Sequence, residues 1–209
     1  IVDPGGVDIA ALHEHMIETG DIQDYPGFTE SGPEMLEAEA DILIPAAMEG
    51  VINQHNAPRI RTPLIIEAAN GPVTAPGDAA LRGRGIVIIP DFCANAGGVT
   101  VSYFEWIKNL THIRFGRIQR RQLENQFEAL IAGVESITGT PFPAAHRNEV
   151  LSGATEINLV RSGLEDTMRG AYNAISATWN ETDNVPDLRT AAMMIAVDRV
   201  AQSYISIGI

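Results

Sequence analysis

The sequence predicts an α/β fold, a partial doubly wound parallel sheet followed by helices, and three observations predict it. Three short apolar runs, Ile42 to Ile44, Leu64 to Ile66 and Ile86 to Ile89, are rich in isoleucine and lack polar alternation. That is the pattern of parallel strands covered on both faces. Each run is followed by a small-residue loop: PAAM at 45–48, EAANGP at 67–72 and PDFCANAGG at 90–98. Segments able to hold a helix, such as Pro76 to Arg82, lie between the runs, so strand and helix alternate at about twenty-residue spacing.

Taken in order, the chain opens with a helix that Asp8 can cap, carrying Ile9, Leu12, Met16 and Ile17 on one side and stopping at Gly20. It therefore enters in the middle of a sheet unit, and an earlier strand is expected upstream. After Gly98 the character turns helical. Val99 to Leu110 is apolar on nearly every face and reads as a buried helix. Gln119 to Ile137, Thr155 to Trp179 and Leu188 to Ile207 follow as longer helices, with Pro141, Pro143 and Pro186 marking breaks.

Composition bounds the function. The 209 residues carry a net charge of −13, which argues against a nucleic-acid partner, since phosphate neutralisation needs a basic face. With 45% apolar and 20% charged residues the chain is globular in composition and can bury a core of one domain or one and a half. No run approaches the roughly 18 apolar residues of a membrane span, and the IVDPGGVD start lacks the features of a secretory signal. No membrane partner is expected. A single cysteine, Cys93, excludes an internal disulfide framework and fits a reducing compartment.

Open parallel sheets bind ligands beyond the carboxyl ends of their strands, so the strand-end loops are the candidate site. Asn70 and Asn95 each follow a strand, and an amide offers both a donor and an acceptor, as a carboxamide-bearing ring such as nicotinamide requires. Stabilising a turn is the commoner role of an asparagine in one such loop alone. Gly97 and Gly98 at a helix start admit close backbone approach. Ser102, about one turn into the apolar helix, could hydrogen-bond a substrate carboxylate or bond back to the preceding turn's carbonyl. His13, Glu14 and His15 point to different sides of a helix and lack the HExxH spacing, so a solvated face is expected and no metal. Cys93 reads as a packed thiol rather than a nucleophile. His112 and His146 have no identifiable partner.

The stretch DILIPAAM…NAPRI…PLIIEAANGPVT…GIVIIPDFCANAGGVTVSYFEWIKNL, residues 41–110, closely resembles the nucleotide-binding domain of glutamate dehydrogenases, a Rossmann-type sheet in the Glu/Leu/Phe/Val dehydrogenase family. IVDPGGVD resembles the segment after that domain's second strand. LSGATE (151–156), RSGLEDTM (161–168) and DLRTAA (187–192) resemble the family's C-terminal helical part. The resemblance implies that residues 1–110 form the C-terminal portion of the dinucleotide-binding domain and 111–209 a helical C-terminal region. It implies NAD or NADP as cofactor, with backbone contacts from Ala46 and Ala47, Ala69 and Asn70 beside the nicotinamide ribose, and Asn95 on the nicotinamide carboxamide. Ser102 corresponds to the family serine that touches the substrate side-chain carboxylate, which favours glutamate over leucine or phenylalanine.

The implied reaction is reversible oxidative deamination of L-glutamate to 2-oxoglutarate and ammonia. The implied assembly is a homo-oligomer, a hexamer, in the cytoplasm or alternatively the mitochondrial matrix. The Gly-rich pyrophosphate turn and the substrate domain with its catalytic lysine and aspartate are expected upstream of Ile1, so no catalytic residue is assigned in this chain, and the piece alone is expected to be inactive. Asp3 falls a few residues too late to be the ribose acid. Met48 stands where some relatives have serine or leucine, and Ala68 where many have glycine. A related amino-acid dehydrogenase and a non-catalytic regulatory subunit of the same fold are the alternatives.

Overall fold

The computed structural model describes residues 1–30, 32–111, 117–151 and 156–208. It divides into two compact units, Ile1–Val87 and Ile88–Ile209.

In the first unit, helix α1 (Ile9–Thr19) forms as its caps dictate. The Asp8 carboxylate accepts from the Ala11 amide, and Gly20 closes the helix in the left-handed conformation, φ 78°. A short helix α2 (Gly32–Met35) precedes strand β1 (Ile42–Leu43). A 3-10 turn at Ala57–Arg59 leads to β2 (Leu64–Ile66), and α3 (Ala75–Gly83) to β3 (Val87–Ile89), within which the unit boundary falls. The sheet order is β1-β2-β3, with β1 and β2 parallel in the register Ile42 to Leu64 and Leu43 to Ile65. Ile52, Ala57, Ile60, Ile65 and Leu81 are fully buried and form the core of this unit. Arg84 stitches it together by donating to the carbonyls of Ala57 (2.6 Å) and Ile60 (2.7 Å) at the 3-10 turn.

The expected strands are present, but their coverage differs from expectation. Ile65 and Ile88 are buried, whereas Ile42 is 49% exposed and Ile44 lies beyond the end of β1. Among the described residues, β1 stands at the edge of the sheet order, paired with β2.

In the second unit, α4 (Asp91–Ala94) is a single turn, followed by α5 (Ala96–Thr111), α6 (Arg117–Thr138), α7 (Ala144–Leu151), α8 (Glu156–Glu181) and α9 (Leu188–Ser206). The long helices follow the expected segments; α4 and α7 are additions, α4 within what reads as a loop and α7 directly after Pro143, whose carbonyl accepts from Arg147. Cys93, Ile175, Leu188, Ala191 and Ala192 form the core here, bringing α4, α8 and α9 together. α5 packs on α4 and α8, with the Phe104 ring so close to Gly163 that a Cβ there would lie 3.4 Å from it. The expectation that α5 is buried all round is not met: Val99 is 74% and Trp106 55% exposed, with Tyr103 and Leu110 on the same side. Among the described residues, α4 and α8 pack on the opposite side of α5, and its outer apolar residues are exposed.

Candidate functional site

The loops leaving β1 and β2 are joined along their length by main-chain hydrogen bonds. The Pro45 carbonyl accepts from both Ala68 (3.1 Å) and Ala69 (2.9 Å); farther on, Gly50 donates to Gly71 (2.9 Å), Ile52 to Pro72 (2.9 Å) and Thr74 to Ile52 (2.8 Å). Gly50 and Gly71 adopt positive φ, 65° and 53°, at the point where the two loops turn, a conformation costly for other residues. The platform is seated on α3 by close approach: a Cβ on Gly77 would stand 3.0 Å from the Ile52 carbonyl oxygen and 3.1 Å from the Asn53 Cα. Thr74 caps that helix, its hydroxyl accepting from the Gly77 amide at 3.3 Å.

Of the candidate residues, Ala46 and Ala47 are exposed on the first loop, Ala69 is half-buried and Asn70 exposed on the second. The shared Pro45 carbonyl brings these two loops together. Nearby, the Asn56 side chain accepts from the Asn53 amide at 2.8 Å and donates to the Val51 carbonyl at 2.7 Å.

Asn95 and Ser102 belong to the second unit. Asn95 is half-buried and ends α4, its amide donating to the Asp91 carbonyl at 2.8 Å. The Gly98 amide donates to the Asn95 carbonyl (3.4 Å), and the Gly98 carbonyl accepts the Ser102 hydroxyl (2.9 Å). Of the two alternatives for Ser102, the bond back to the preceding turn is the one formed. Its side chain is exposed, and a hydroxyl carries one proton, so donating to a carboxylate would require giving up the Gly98 bond.

Sequence reasoning overlooked Arg189. It reaches back from α9 to pair with Asp91 at 3.3 Å, its guanidinium carbon 5.7 Å from the centroid of the Phe92 ring. The only signal was an arginine in the first turn of a helix, where a cation opposes the macrodipole. Cys93 is a packed thiol, and its burial pushes the thiol pKa up, away from the thiolate a nucleophile needs. Behind α4 and α5 lies a cavity of about 200 Å³, lined by Phe92, Cys93, Ala96, Thr100, Met168 and Ile195 among others.

His15 meets Tyr25 edge-on at 5.4 Å, while His13 and His146 are exposed. His112 and residues 152–155 of the LSGATE segment lie outside the described residues. Among the described residues no three His, Cys, Asp or Glu side chains are grouped to hold a metal ion, and no helix is long and apolar enough to cross a membrane.

Small-residue loops at the carboxyl ends of adjacent parallel strands, crossed by helices, define the α/β class of nucleotide-binding folds. Comparison with known proteins makes this particular. The family model for Glutamate/Leucine/Phenylalanine/Valine dehydrogenase matches residues 1–138, and the chain belongs to that family. It is 45% identical over 203 residues to a probable glutamate dehydrogenase of Sinorhizobium fredii, covering 96% of this chain and 46% of the relative. It is 44% identical over 210 residues to the mitochondrial glutamate dehydrogenase of Dictyostelium discoideum, covering 100% of this chain and 41% of the relative. Among solved structures, glutamate dehydrogenase from Peptoniphilus asaccharolyticus superposes with a TM-score of 0.62 at 25% identity, covering 100% of this chain and 37% of that one. The chain thus spans less than half the length of these relatives.

Proposed function

We propose that this chain is the cofactor-binding part of a glutamate dehydrogenase, in which residues 1–110 complete a dinucleotide-binding domain and 111–209 form its helical C-terminal region. In the whole enzyme the reaction is the reversible oxidative deamination of L-glutamate to 2-oxoglutarate and ammonia with NAD or NADP. The observation that carries this reading is the Pro45 carbonyl shared by Ala68 and Ala69, which holds two small-residue loops side by side at the ends of parallel strands.

The residues present fit a dinucleotide. Methyl side chains on exposed Ala46 and Ala47 leave their backbone open to a flat ligand, and Ala69 with the exposed Asn70 offers a polar edge for a ribose. Asn95, at the end of α4, supplies the donor and acceptor that a nicotinamide carboxamide requires. Bound there, the nicotinamide ring supplies hydride transfer, and the protein contributes orientation. Ser102 is the proposed contact to the substrate side-chain carboxylate, once its hydroxyl leaves Gly98. The catalytic groups belong to the substrate domain of the whole enzyme, so this piece alone turns nothing over. A homo-hexamer, in the cytoplasm or the mitochondrial matrix, is the assembly proposed with it.

The back-bonded state of Ser102 favours one second reading: a related amino-acid dehydrogenase, in which this hydroxyl stays on Gly98 and the substrate side chain is apolar. A substrate panel on the full-length enzyme separates the two. Glutamate turnover far above that with leucine, phenylalanine or valine is expected, and strong leucine turnover with none for glutamate would overturn the glutamate assignment. In the same enzyme, Asn95→Ala raises the cofactor KM by about two- to ten-fold, the loss of a neutral hydrogen bond.

A further inference from the structure

The α4 turn that ends in Asn95 is too short to hold itself in place. It has four residues, its N-cap is Pro90 without a side-chain cap, and an isolated single turn is far below the length at which a helix is stable in water. Its position comes from its surroundings, and those are uneven. Cys93 is packed into the core with Leu188, Ala191 and Ala192, but Phe92, Cys93 and Ala96 also border the 200 Å³ cavity, so that side is incompletely packed.

At the start of the turn Arg189 opposes movement. It donates to the Asp91 carboxylate at 3.3 Å, with the arginine and aspartate side chains 34% and 20% exposed, and its guanidinium lies over Phe92. α9 presents it from a firm base, since Leu188 and Ala191 are buried and the Asp187 carboxylate caps the helix by accepting from Thr190 at 2.7 Å. A cation in the first turn of α9 works against the helix dipole, so its placement answers to a tertiary partner rather than to the helix itself. Asp91 and Asn95 are one helical turn apart, joined by the 2.8 Å bond from the Asn95 amide to the Asp91 carbonyl, so any displacement of Asp91 is passed to Asn95.

We propose that Arg189 is a positioning residue for cofactor binding: by holding Asp91 across 98 residues of sequence it fixes α4 and hence Asn95. The proposal rests on the reading of Asn95 as the carboxamide contact. Its chemical meaning is that α9 registers the cofactor's ring and does not touch the reacting atoms.

The test uses the full-length dehydrogenase with Arg189→Met, Arg189→Lys, Asp91→Asn, Asn95→Ala and the double variant Arg189→Met with Asn95→Ala. Cofactor Kd, KM and kcat at saturating cofactor are measured together with Tm. Arg189→Met and Asp91→Asn should each raise cofactor Kd and KM by about ten-fold, the lower end for a bond to a charged group, with kcat within about two-fold of the parent. Arg189→Lys should recover most of the affinity, and Asn95→Ala should add little in the Arg189→Met background, because the two act through one contact. A lowered Tm with unchanged cofactor KM in both Arg189→Met and Asp91→Asn would overturn the positioning role, as would effects of Arg189→Met and Asn95→Ala that multiply. Should Arg189→Met not fold, Asp91→Asn and Arg189→Lys still decide. An Asn95→Ala enzyme with unaltered cofactor affinity would instead bring down the Asn95 reading itself, and with it the proposal.

Discussion

In the first unit, the loops after β1 and β2 are held by main-chain groups: the carbonyl of Pro45 and the paired amides and carbonyls from Gly50 to Thr74. In the second unit, α4 is held by side chains, Cys93 against Leu188 and Ala192 and Asp91 against Arg189, drawn from a helix about a hundred residues later. A main-chain ladder tolerates most residues whose φ and ψ fit. A side-chain clamp depends on each partner's identity. Substitutions in the two regions should therefore have different consequences even where the burial is alike.

The largest expected effect compares the two cores directly. Leu81→Ala and Leu188→Ala each remove a nearly or fully buried leucine and should cost about 2–5 kcal/mol in denaturant unfolding of the full-length enzyme. Leu188→Ala should in addition weaken cofactor binding, since Leu188 belongs to the cluster that seats Cys93. Equal cofactor affinity in the two variants would erase the distinction drawn between the regions.

Ser102→Ala comes next. Its hydroxyl must exchange the Gly98 carbonyl for the substrate, so the net loss falls at the low end for a bond to a charged group, about 1.5 kcal/mol or ten-fold in kcat/KM for glutamate. An unchanged kcat/KM would remove Ser102 from the substrate site. Thr74→Ala should lower stability by about 1 kcal/mol through loss of the α3 cap, while Met48→Ser, 67% exposed on the joined loops, should stay within about 0.5 kcal/mol and leave cofactor affinity alone. A large effect of Met48→Ser would show that side chains, not backbone, shape this platform.

The smallest effects are pH-dependent and have opposite signs in the two units. Burial raises the Cys93 pKa above its ordinary 9.0, so the folded state holds its proton longer than the unfolded chain. Its contribution is complete below pH 9 and declines as pH rises through the folded value. Thermal unfolding between pH 8 and 10 should show a steeper loss for the parent than for Cys93→Ala. On the first unit, the hydrogen bond from Arg59 lowers the Glu37 pKa below 4.5, so that contribution is present above 4.5 and lost as pH falls through the folded value. Both of its N–O contacts are 2.6 Å but exposed to solvent, and added salt should shrink the effect.

Much of the fold is legible in the amino-acid order because its signals are local. Asp8 and Gly20 mark the ends of α1, the isoleucine runs mark three strands, and the proline breaks separate the long helices. The α4 turn was not legible, because DFCA has no helical period of its own and forms with α5, α8 and the α9 core residues packed against it. The all-round burial inferred for α5 failed for a related reason: apolar composition says that a face can be buried, not that a neighbour arrives to cover it. Within the candidate site, Ala46, Ala47, Ala69, Asn70, Asn95 and Ser102 could be singled out from their strand-end and helix-start positions and the family resemblance. Arg189 could not, since its partner is 98 residues away.

By itself, then, the sequence determined the three strands, the caps of α1, the long helices and the family to which the chain belongs, all of which depend on nearest neighbours or on motif order. The tertiary structure decided which loops lie side by side through the Pro45 carbonyl, and that α9 reaches back to Asp91. Those outcomes depend on long-range contacts, whose partners no local pattern specifies and which exist only once the chain has closed on itself.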